Sequence, residues 1–201
     1  MPYPNRINPF GDLFATPARG TLTGNRGCLH NDRREIRRRW TTRAWITCLL
    51  EFRGRHRDIM PPGRWTALFF LDEATGLAAG HRPCGECRNA DYRRFKQAWC
   101  AGNGGDVTEP VGLIDVRLQA ERIARPRPTW MAPLAGLPDG TMWLEGSAVW
   151  VVSGSRIARW TPSGYRDAQA RPAKHVPVLT PPTLVAALKA GYRPLLHPSF
   201  G

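Results

Sequence analysis

Apolar and polar residues alternate over two stretches in the first half of the chain, which is the period of a half-buried β-strand. The first stretch runs from Trp45 to Phe52 and the second from Arg64 to Leu71, and the basic segment between them contains Pro and Gly. Two such stretches joined by a turn predict an antiparallel β-hairpin.

Helix signals lie on both sides of this predicted hairpin. Upstream, residues 31–40 form a short run typical of a helix, in which five arginines are concentrated. Downstream, Asp72 is a favourable N-cap for a helix over residues 73–79, and Gly80 can end that helix in the left-handed conformation.

Two further helices are predicted around a glycine-rich break. The first begins at Asn89 or Asp91 and ends near Trp99, and its aromatic residues are spaced to form one apolar stripe facing the core. Residues 101–105 then interrupt the helical pattern, and residues 111–123 restart it.

The second half of the chain is predicted to be rich in β-structure. Short alternating stretches cover residues 142–144, 148–153 and 156–161, with Gly and Ser turns between them. A helix over residues 183–190, closed by Gly191, follows these strands.

Together these patterns predict an α+β fold. Residues 1–27 are rich in Pro, Gly, Arg and Asn without any period, and are predicted to form a basic, flexible arm. Residues 28–105 form a module with a β-hairpin and helices. Residues 106–201 form a small β-rich region that can pack as one domain with that module.

The net charge and the arginine content of the chain indicate a class of binding partner. The chain of 201 residues carries a formal net charge of +13, and arginine supplies all but three of its 29 basic residues. The planar guanidinium group matches phosphate and guanine edges, so this composition favours a nucleic-acid partner. A genome that encodes arginine wherever lysine would serve is the alternative explanation.

Segments that would direct the chain to a membrane are not expected. The first eight residues have no apolar core, and no window approaches the roughly 18 apolar residues that a membrane span requires. The five cysteines are an odd number, which suits a reducing compartment. We therefore expect a cytoplasmic protein without structural disulfides.

A Cys-x-x-Cys motif carries the strongest chemical signal. Cys84 and Cys87 are separated by Gly85 and Glu86, and this short turn lets both thiolates face one cation. A redox pair would instead open a helix after a strand of a βαβ unit, which does not precede it here. The motif predicts two ligands of one zinc ion.

The residues around this motif resemble a known family. The sequence from Glu73 to Cys87, EATGLAAGHRPCGEC, resembles the Ada-type metal-binding domain. The resemblance implies a zinc ion held by four cysteines, docking on DNA, and a zinc thiolate that accepts a methyl group from a phosphotriester. It also implies that Cys84 and Cys87 are the second pair of ligands.

The first ligand pair of that family is incomplete in this chain. The family has two cysteines separated by three residues, whereas this sequence has Cys48 with Phe52 at the matching position. Cys48 can equally be a small core residue. A residue from the glycine-rich loop, Cys28 or His30, is the preferred fourth ligand, with His56 and His81 as further candidates.

The predicted function is that of a zinc-containing protein that binds nucleic acid, DNA in preference to RNA, with a link to DNA repair or modification. Arginines near the predicted hairpin are expected to contact phosphates. These are Arg33, Arg34, Arg37, Arg38, Arg53, Arg55 and Arg57.

Two alternatives to this function stay open. One is a zinc enzyme acting on nucleic acid, by thiolate alkyl transfer or through zinc-bound water in hydrolysis or deamination. Deamination needs a His-x-Glu motif, and His56 is followed by Asp58 instead. The other is a zinc-stapled protein-interaction domain.

Overall fold

The computed structural model describes residues 1–54 and 58–201 and has the predicted α+β architecture. Two β-sheets of six strands each pack with four α-helices. No helix in this described part of the chain is both long and apolar enough to cross a lipid bilayer.

The first sheet is built from the first 83 residues, with the strand order β2-β1-β5-β3-β4-β6. Antiparallel pairs dominate its interior, and β4 pairs in parallel with the edge strand β6. The strands are β1 (Arg6–Ile7), β2 (Leu13–Phe14), β3 (Leu22–Asn25), β4 (Ile46–Leu49), β5 (Leu68–Phe70) and β6 (Arg82–Pro83).

The predicted hairpin is not formed, although both of its strands are present. Strand β3 lies between β4 and β5 and pairs with each of them. Glycines allow this insertion, because a Cβ on Gly20 would lie 1.8 Å from the Phe70 carbonyl oxygen and one on Gly24 2.0 Å from that of Ile46. A strand from the N-terminal segment therefore separates the two that the sequence pattern predicted to be neighbours.

The N-terminal segment is part of the sheet. Residues 1–27 contribute β1, β2 and β3, and Ile7 and Arg26 are buried. The expectation of an arm without strands thus does not match the structure. These strands are short and interrupted by Pro and Gly, so they give too few alternating positions to be recognised in the sequence.

The arginine-rich run is a loop and not the short helix that its sequence predicted. The Asn31 side-chain oxygen accepts hydrogen bonds from the backbone N–H groups of Arg33 and Glu35, and Arg34 has a positive φ of 61°. Asparagine commonly stabilises such turns in competition with a helix. In a helix, Arg33 and Arg37, and likewise Arg34 and Arg38, would be i,i+4 neighbours of like charge, which is unfavourable.

The second sheet has the strand order β11-β10-β9-β8-β12-β7, and each pair of neighbouring strands in it is antiparallel. The three predicted strands correspond to β8, β9 and β10 and are confirmed. The strands are β7 (Trp130–Pro133), β8 (Met142–Glu145), β9 (Ala148–Ser153), β10 (Arg156–Thr161), β11 (Gly164–Ala170) and β12 (His175–Val178).

All four helices predicted downstream of Asp72 are present, but the second continues to Asn103, through residues 101–103 that were expected to interrupt it. Asp72 caps the first helix by accepting a hydrogen bond from the Thr75 N–H, and Gly80 follows it with a φ of 84°. The helices are α1 (Glu73–Ala78), α2 (Asn89–Asn103), α3 (Val111–Arg122) and α4 (Pro182–Lys189).

Helix α1 lies where the main apolar clusters meet, and all six of its residues are buried. Ala74 and Ala78 pack against residues of β8, β9 and β10, whereas Leu77 packs against α2, α3 and α4. Glu121 and Thr183 further join α3 to α4 through a side-chain hydrogen bond. The domain boundaries proposed from the sequence remain predictions, but apolar contacts connect both sides of the glycine-rich break.

Candidate metal centre

Strand pairing brings the Cys-x-x-Cys motif next to Cys48. Strand β6 pairs in parallel with β4, and the backbone N–H of Cys84 donates to the Thr47 carbonyl oxygen at 2.9 Å. Cys48 follows Thr47 in β4, so it is adjacent to the turn that carries Cys84 and Cys87. The β-alternation that made Cys48 a candidate core residue also directs its thiol to this turn.

The three thiols form a compact, buried group that can hold a metal ion. The sulfur atoms of Cys48, Cys84 and Cys87 all lie within 4.8 Å of one another, and each residue is less than 9% exposed. Two sulfurs bound to one tetrahedral zinc ion at ~2.3 Å would be ~3.8 Å apart. The spacing of the three sulfurs is therefore compatible with one soft metal ion.

Hydrogen bonds polarise the group in favour of a Cys84 thiolate. The Cys84 sulfur is hydrogen-bonded to the Cys48 thiol. The backbone N–H groups of Cys87 and Glu86 also donate to the Cys84 sulfur, the Glu86 N–H at 3.4 Å. These bonds lower the pKa of Cys84 to about 5, despite burial. The same bond, together with burial, raises the pKa of Cys48.

Opposing effects act on the pKa of Cys87. Burial and the nearby Cys84 raise its pKa, while a hydrogen bond from the Leu49 backbone N–H acts in the opposite direction. Backbone donors around the sulfurs are the outer-shell groups that orient metal ligands. A cation bound by all three sulfurs would replace the shared protons.

Arg88 holds the end of the motif in place, and the sequence pattern did not single it out. It is 3% exposed, and its guanidinium group donates to the Thr47 hydroxyl at 2.9 Å. It also forms ion pairs with Glu73 and Asp91, each at 2.8 Å. Because Thr47 precedes Cys48 and Arg88 follows Cys87, this contact braces both sides of the thiol group.

A second buried arginine fixes β6. Arg82 forms two hydrogen bonds with Asp115 of α3, at 2.8 and 2.7 Å. Both side chains are 6% exposed, so removing either would leave a buried charge without its partner. The basic residue before Pro83 could have been noted in the sequence, but its partner lies 33 positions away.

The structure does not bring Cys28 or His30 into the thiol group. The Cys28 thiol lies 3.6 Å from the His30 carbonyl oxygen. The two ring nitrogens of His30 are 2.6 Å from the Thr66 hydroxyl and 3.1 Å from the Pro61 carbonyl oxygen. Among the described residues, the only group of three or more ligand side chains is that of Cys48, Cys84 and Cys87.

The other sequence candidates have separate positions. His81 is fully buried and its Nε2 accepts a hydrogen bond from Arg26 at 3.1 Å. His56 lies outside the described residues. Phe52 packs against the three cysteines, and the Arg53 guanidinium lies 5.0 Å from the centre of its ring.

The arginines proposed to contact nucleic acid are on the surface wherever they are described. Arg37 pairs with Glu35, and Arg34 contacts Tyr3. Arg55 and Arg57 lie outside the described residues. The exposed arginines of this set are Arg33, Arg34, Arg37, Arg38 and Arg53.

Comparisons with protein-family models, curated proteins and solved structures give no match to this chain. The assignment of the centre therefore rests on its own donor atoms. These are three buried sulfurs, a set that suits a soft or borderline cation better than magnesium or calcium.

Proposed function

We propose that Cys48, Cys84 and Cys87 bind one zinc ion, and that the centre orders a surface which binds the phosphate backbone of nucleic acid. The observation that carries the zinc assignment is the convergence of three buried sulfurs within 4.8 Å. Zinc is favoured because structural zinc sites are commonly rich in cysteine and because the thiols are protected from solvent.

A structural role for the metal follows from where the ligands lie. The cysteines come from β4 and from the turn after β6, which are distant in the sequence. A metal bound to all three would cross-link these elements. It would also stabilise the segment after β4, in which Phe52 packs on the sulfurs and Arg53 lies over Phe52.

Nucleic acid is the partner that the charge distribution supports. Arg33, Arg34, Arg37 and Arg38 lie exposed in one loop, and Arg53 is exposed beside the centre. Guanidinium groups bind phosphates strongly, and affinity gained in this way depends on the release of counterions. The resemblance to the Ada-type domain favours DNA over RNA and suggests a role in repair or modification.

The metal assignment is tested by metal content. We expect the purified chain to hold about one zinc ion, and Cys48→Ser, Cys84→Ser and Cys87→Ser each to lower zinc affinity sharply. Cys100→Ser is the control, because Cys100 is half-buried in α2 and outside the thiol group. Equal zinc content in Cys84→Ser and Cys100→Ser would contradict the proposal.

The same measurement can identify a fourth ligand. Cys28→Ser, His30→Ala, His56→Ala and His81→Gln cover the thiol and imidazole candidates that the sequence offered. Cobalt substitution reports coordination by its visible absorption, which changes when a ligand is removed. A change confined to one of these variants would assign that residue, and unchanged spectra in all four would indicate a fourth ligand outside this set.

Nucleic-acid binding is tested by its salt dependence. We expect the affinity for a duplex oligonucleotide to fall steeply with salt, and Arg37→Gln with Arg38→Gln to reduce the slope by about one for each phosphate that the protein no longer neutralises. Arg156→Gln with Arg166→Gln removes the same charge from exposed positions of the second sheet. Equal effects of the two double variants, or no binding by the wild type, would refute the proposed surface.

Alkyl transfer is a second candidate, supported by the hydrogen bonds that favour a Cys84 thiolate. The sulfur would form a bond to the methyl carbon as the bond from that carbon to a methylated phosphate oxygen breaks, leaving a phosphodiester anion. Mass spectrometry after incubation with methylphosphotriester DNA tests this. One added methyl group on a cysteine would support the transfer, and no mass gain would exclude it.

A further inference from the structure

Four arginines act electrostatically on the buried Arg26, and we call these five residues the arginine cluster. Two of them lie over the indole of Trp45, with the Cζ atoms of Arg26 and Arg122 at 3.8 and 4.2 Å from its ring centre. The members of the cluster are Arg26, Arg39, Arg122, Arg125 and Arg127.

Most hydrogen bonds of the buried members go to neutral acceptors. Arg26 donates to the Gly11 carbonyl oxygen and to His81, and Arg122 to the carbonyl oxygens of Gly80 and Arg43. Such bonds satisfy donors without neutralising their charge. Burial and the neighbouring guanidinium groups accordingly lower the pKa of Arg26.

One carboxylate makes an ion pair with the cluster. Asp12 lies 2.9 Å from Nη2 of Arg39 and 3.5 Å from Nε of Arg125. Of the other carboxylates acting on the cluster, Asp115 is held by Arg82 and Glu121 accepts a hydrogen bond from Thr183. Within the described part of the chain, Asp12 is therefore the one anion paired directly with these cations.

Two donors in the cluster are buried and have no hydrogen-bond partner among the described residues, Nη2 of Arg26 and Nε of Arg125. Arg26 is 0% exposed, and its Nη2 atom makes no hydrogen bond there. A Cβ added to Gly11 would lie 3.4 Å from this atom and 3.5 Å from Nη2 of Arg125. The Nη2 atom of Arg26 and that of Arg125 thus both lie beside Gly11. Gly11 has no side chain and directly precedes Asp12.

We propose that Arg39, Arg125 and Arg26 form a binding site for a phosphate group, and that the Asp12 carboxylate occupies this site in the free protein. Asp12 stands in for an anion because it bridges Arg39 and Arg125. Its side chain is 50% exposed, so it can be displaced without disturbing the core. A phosphate brings more charge and more acceptor oxygens than the carboxylate, including one for the free donor of Arg26.

This site is separate from the metal centre, and it does not depend on the proposed binding of nucleic acid. The ligand chemistry is a phosphate group, which an inorganic anion or a nucleic-acid backbone can supply. Pyrophosphate and a short DNA duplex distinguish the two sources. Binding of pyrophosphate without the duplex would retain this site while refuting the proposed function.

The test removes the competing carboxylate. Calorimetric titration with pyrophosphate at constant ionic strength should show tighter binding to Asp12→Asn than to wild type, by roughly threefold to fivefold, which is the scale of an exposed ion pair. Asp167→Asn is a matched control, because Asp167 pairs with Arg159 at 2.6 Å with similar exposure in the second sheet. Asp167→Asn should leave the affinity for pyrophosphate unchanged.

A second pair of variants tests the cations. Arg39→Ala should weaken pyrophosphate binding, whereas Arg159→Ala should not, and their side chains are 46% and 40% exposed. Equal effects within either matched pair would overturn the proposal, since they would reflect only overall charge. The absence of pyrophosphate binding in both wild type and Asp12→Asn would overturn it as well.

Discussion

His81 illustrates how the environment of a single residue decides its chemistry. In the sequence it is a potential metal ligand three positions before Cys84, but in the structure it lies among cations. Burial, followed by Arg26 and Arg122, lowers its pKa well below the ordinary value of 6.5. Since its Nε2 accepts from Arg26, the ring is neutral and carries its proton on Nδ1.

This lowered pKa predicts a dependence of stability on pH. The unfolded imidazole takes up a proton below pH ~6.5, whereas the folded one does not, so the free energy of unfolding should fall on acidification. The slope from His81 should approach about 1.4 kcal/mol per pH unit. His81→Gln removes the titration while keeping an acceptor for Arg26.

Urea unfolding of both proteins between about pH 5 and pH 8 measures this difference. Any release of a bound metal at acidic pH would affect both proteins, so the comparison of the two slopes isolates His81. The variant should lose less stability than the wild type below pH ~6.5 and match its slope above that value. Parallel curves would show that His81 does not contribute.

At the scale of elements, β3 pairs along the whole length of the strand that carries Cys48. Thr23 of β3 pairs with Cys48 of β4, and Gly24 pairs with Thr47. Gly24 is required because a Cβ there would collide with the Ile46 carbonyl oxygen. The register of β3 therefore supports the strand that presents Cys48.

We expect Gly24→Ala to lower the free energy of unfolding by about 1–3 kcal/mol, the usual cost of overpacking, and to reduce zinc affinity as well. Gly112→Ala is the control. Gly112 is exposed in α3 with no atom within 4 Å of an added Cβ, so alanine should be neutral or stabilise the helix by ~0.5–1 kcal/mol. Chemical unfolding and zinc titration check both changes. A zinc affinity unaffected by Gly24→Ala would separate β3 from the metal centre.

Over the whole molecule, hydrogen bonds of α1 and its cap connect the two sheets. Asp72 accepts from the hydroxyl of Tyr165 in β11 at 2.6 Å. Glu73 accepts from the Tyr192 hydroxyl at 2.6 Å and pairs with Arg88, which follows the cysteine motif. Stability at the metal centre is thus linked to the second sheet through buried contacts.

We therefore predict that removing the metal destabilises both sheets together. A ligand at about 100 times its dissociation constant stabilises a fold by ~2.7 kcal/mol, and a chelator withdraws that contribution. Hydrogen exchange measured by mass spectrometry should show protection falling in β4 and in β9 alike after chelation. Unchanged protection of β9 would indicate that the second sheet is stable independently of the centre.

Local signals in the sequence were enough for most elements and for two of the three cysteines in the candidate metal site. Asp72, Gly80 and the alternating strands of the second half act on their nearest neighbours, so their effects follow from the sequence. The Cys-x-x-Cys spacing is equally local. Cys48 was ambiguous because the same burial suits a core residue and a ligand.

The sequence by itself determined the α+β class, the helices after Asp72, three strands of the second sheet and the placement of Cys84 and Cys87 in one turn. Only the tertiary structure decided that β3 separates β4 from β5, that Cys48 joins the thiol group, and that the arginine cluster gathers around Arg26. The physical reason is distance along the chain. Strand order, buried ion pairs and clustered charges depend on contacts between distant segments, which no local periodicity encodes.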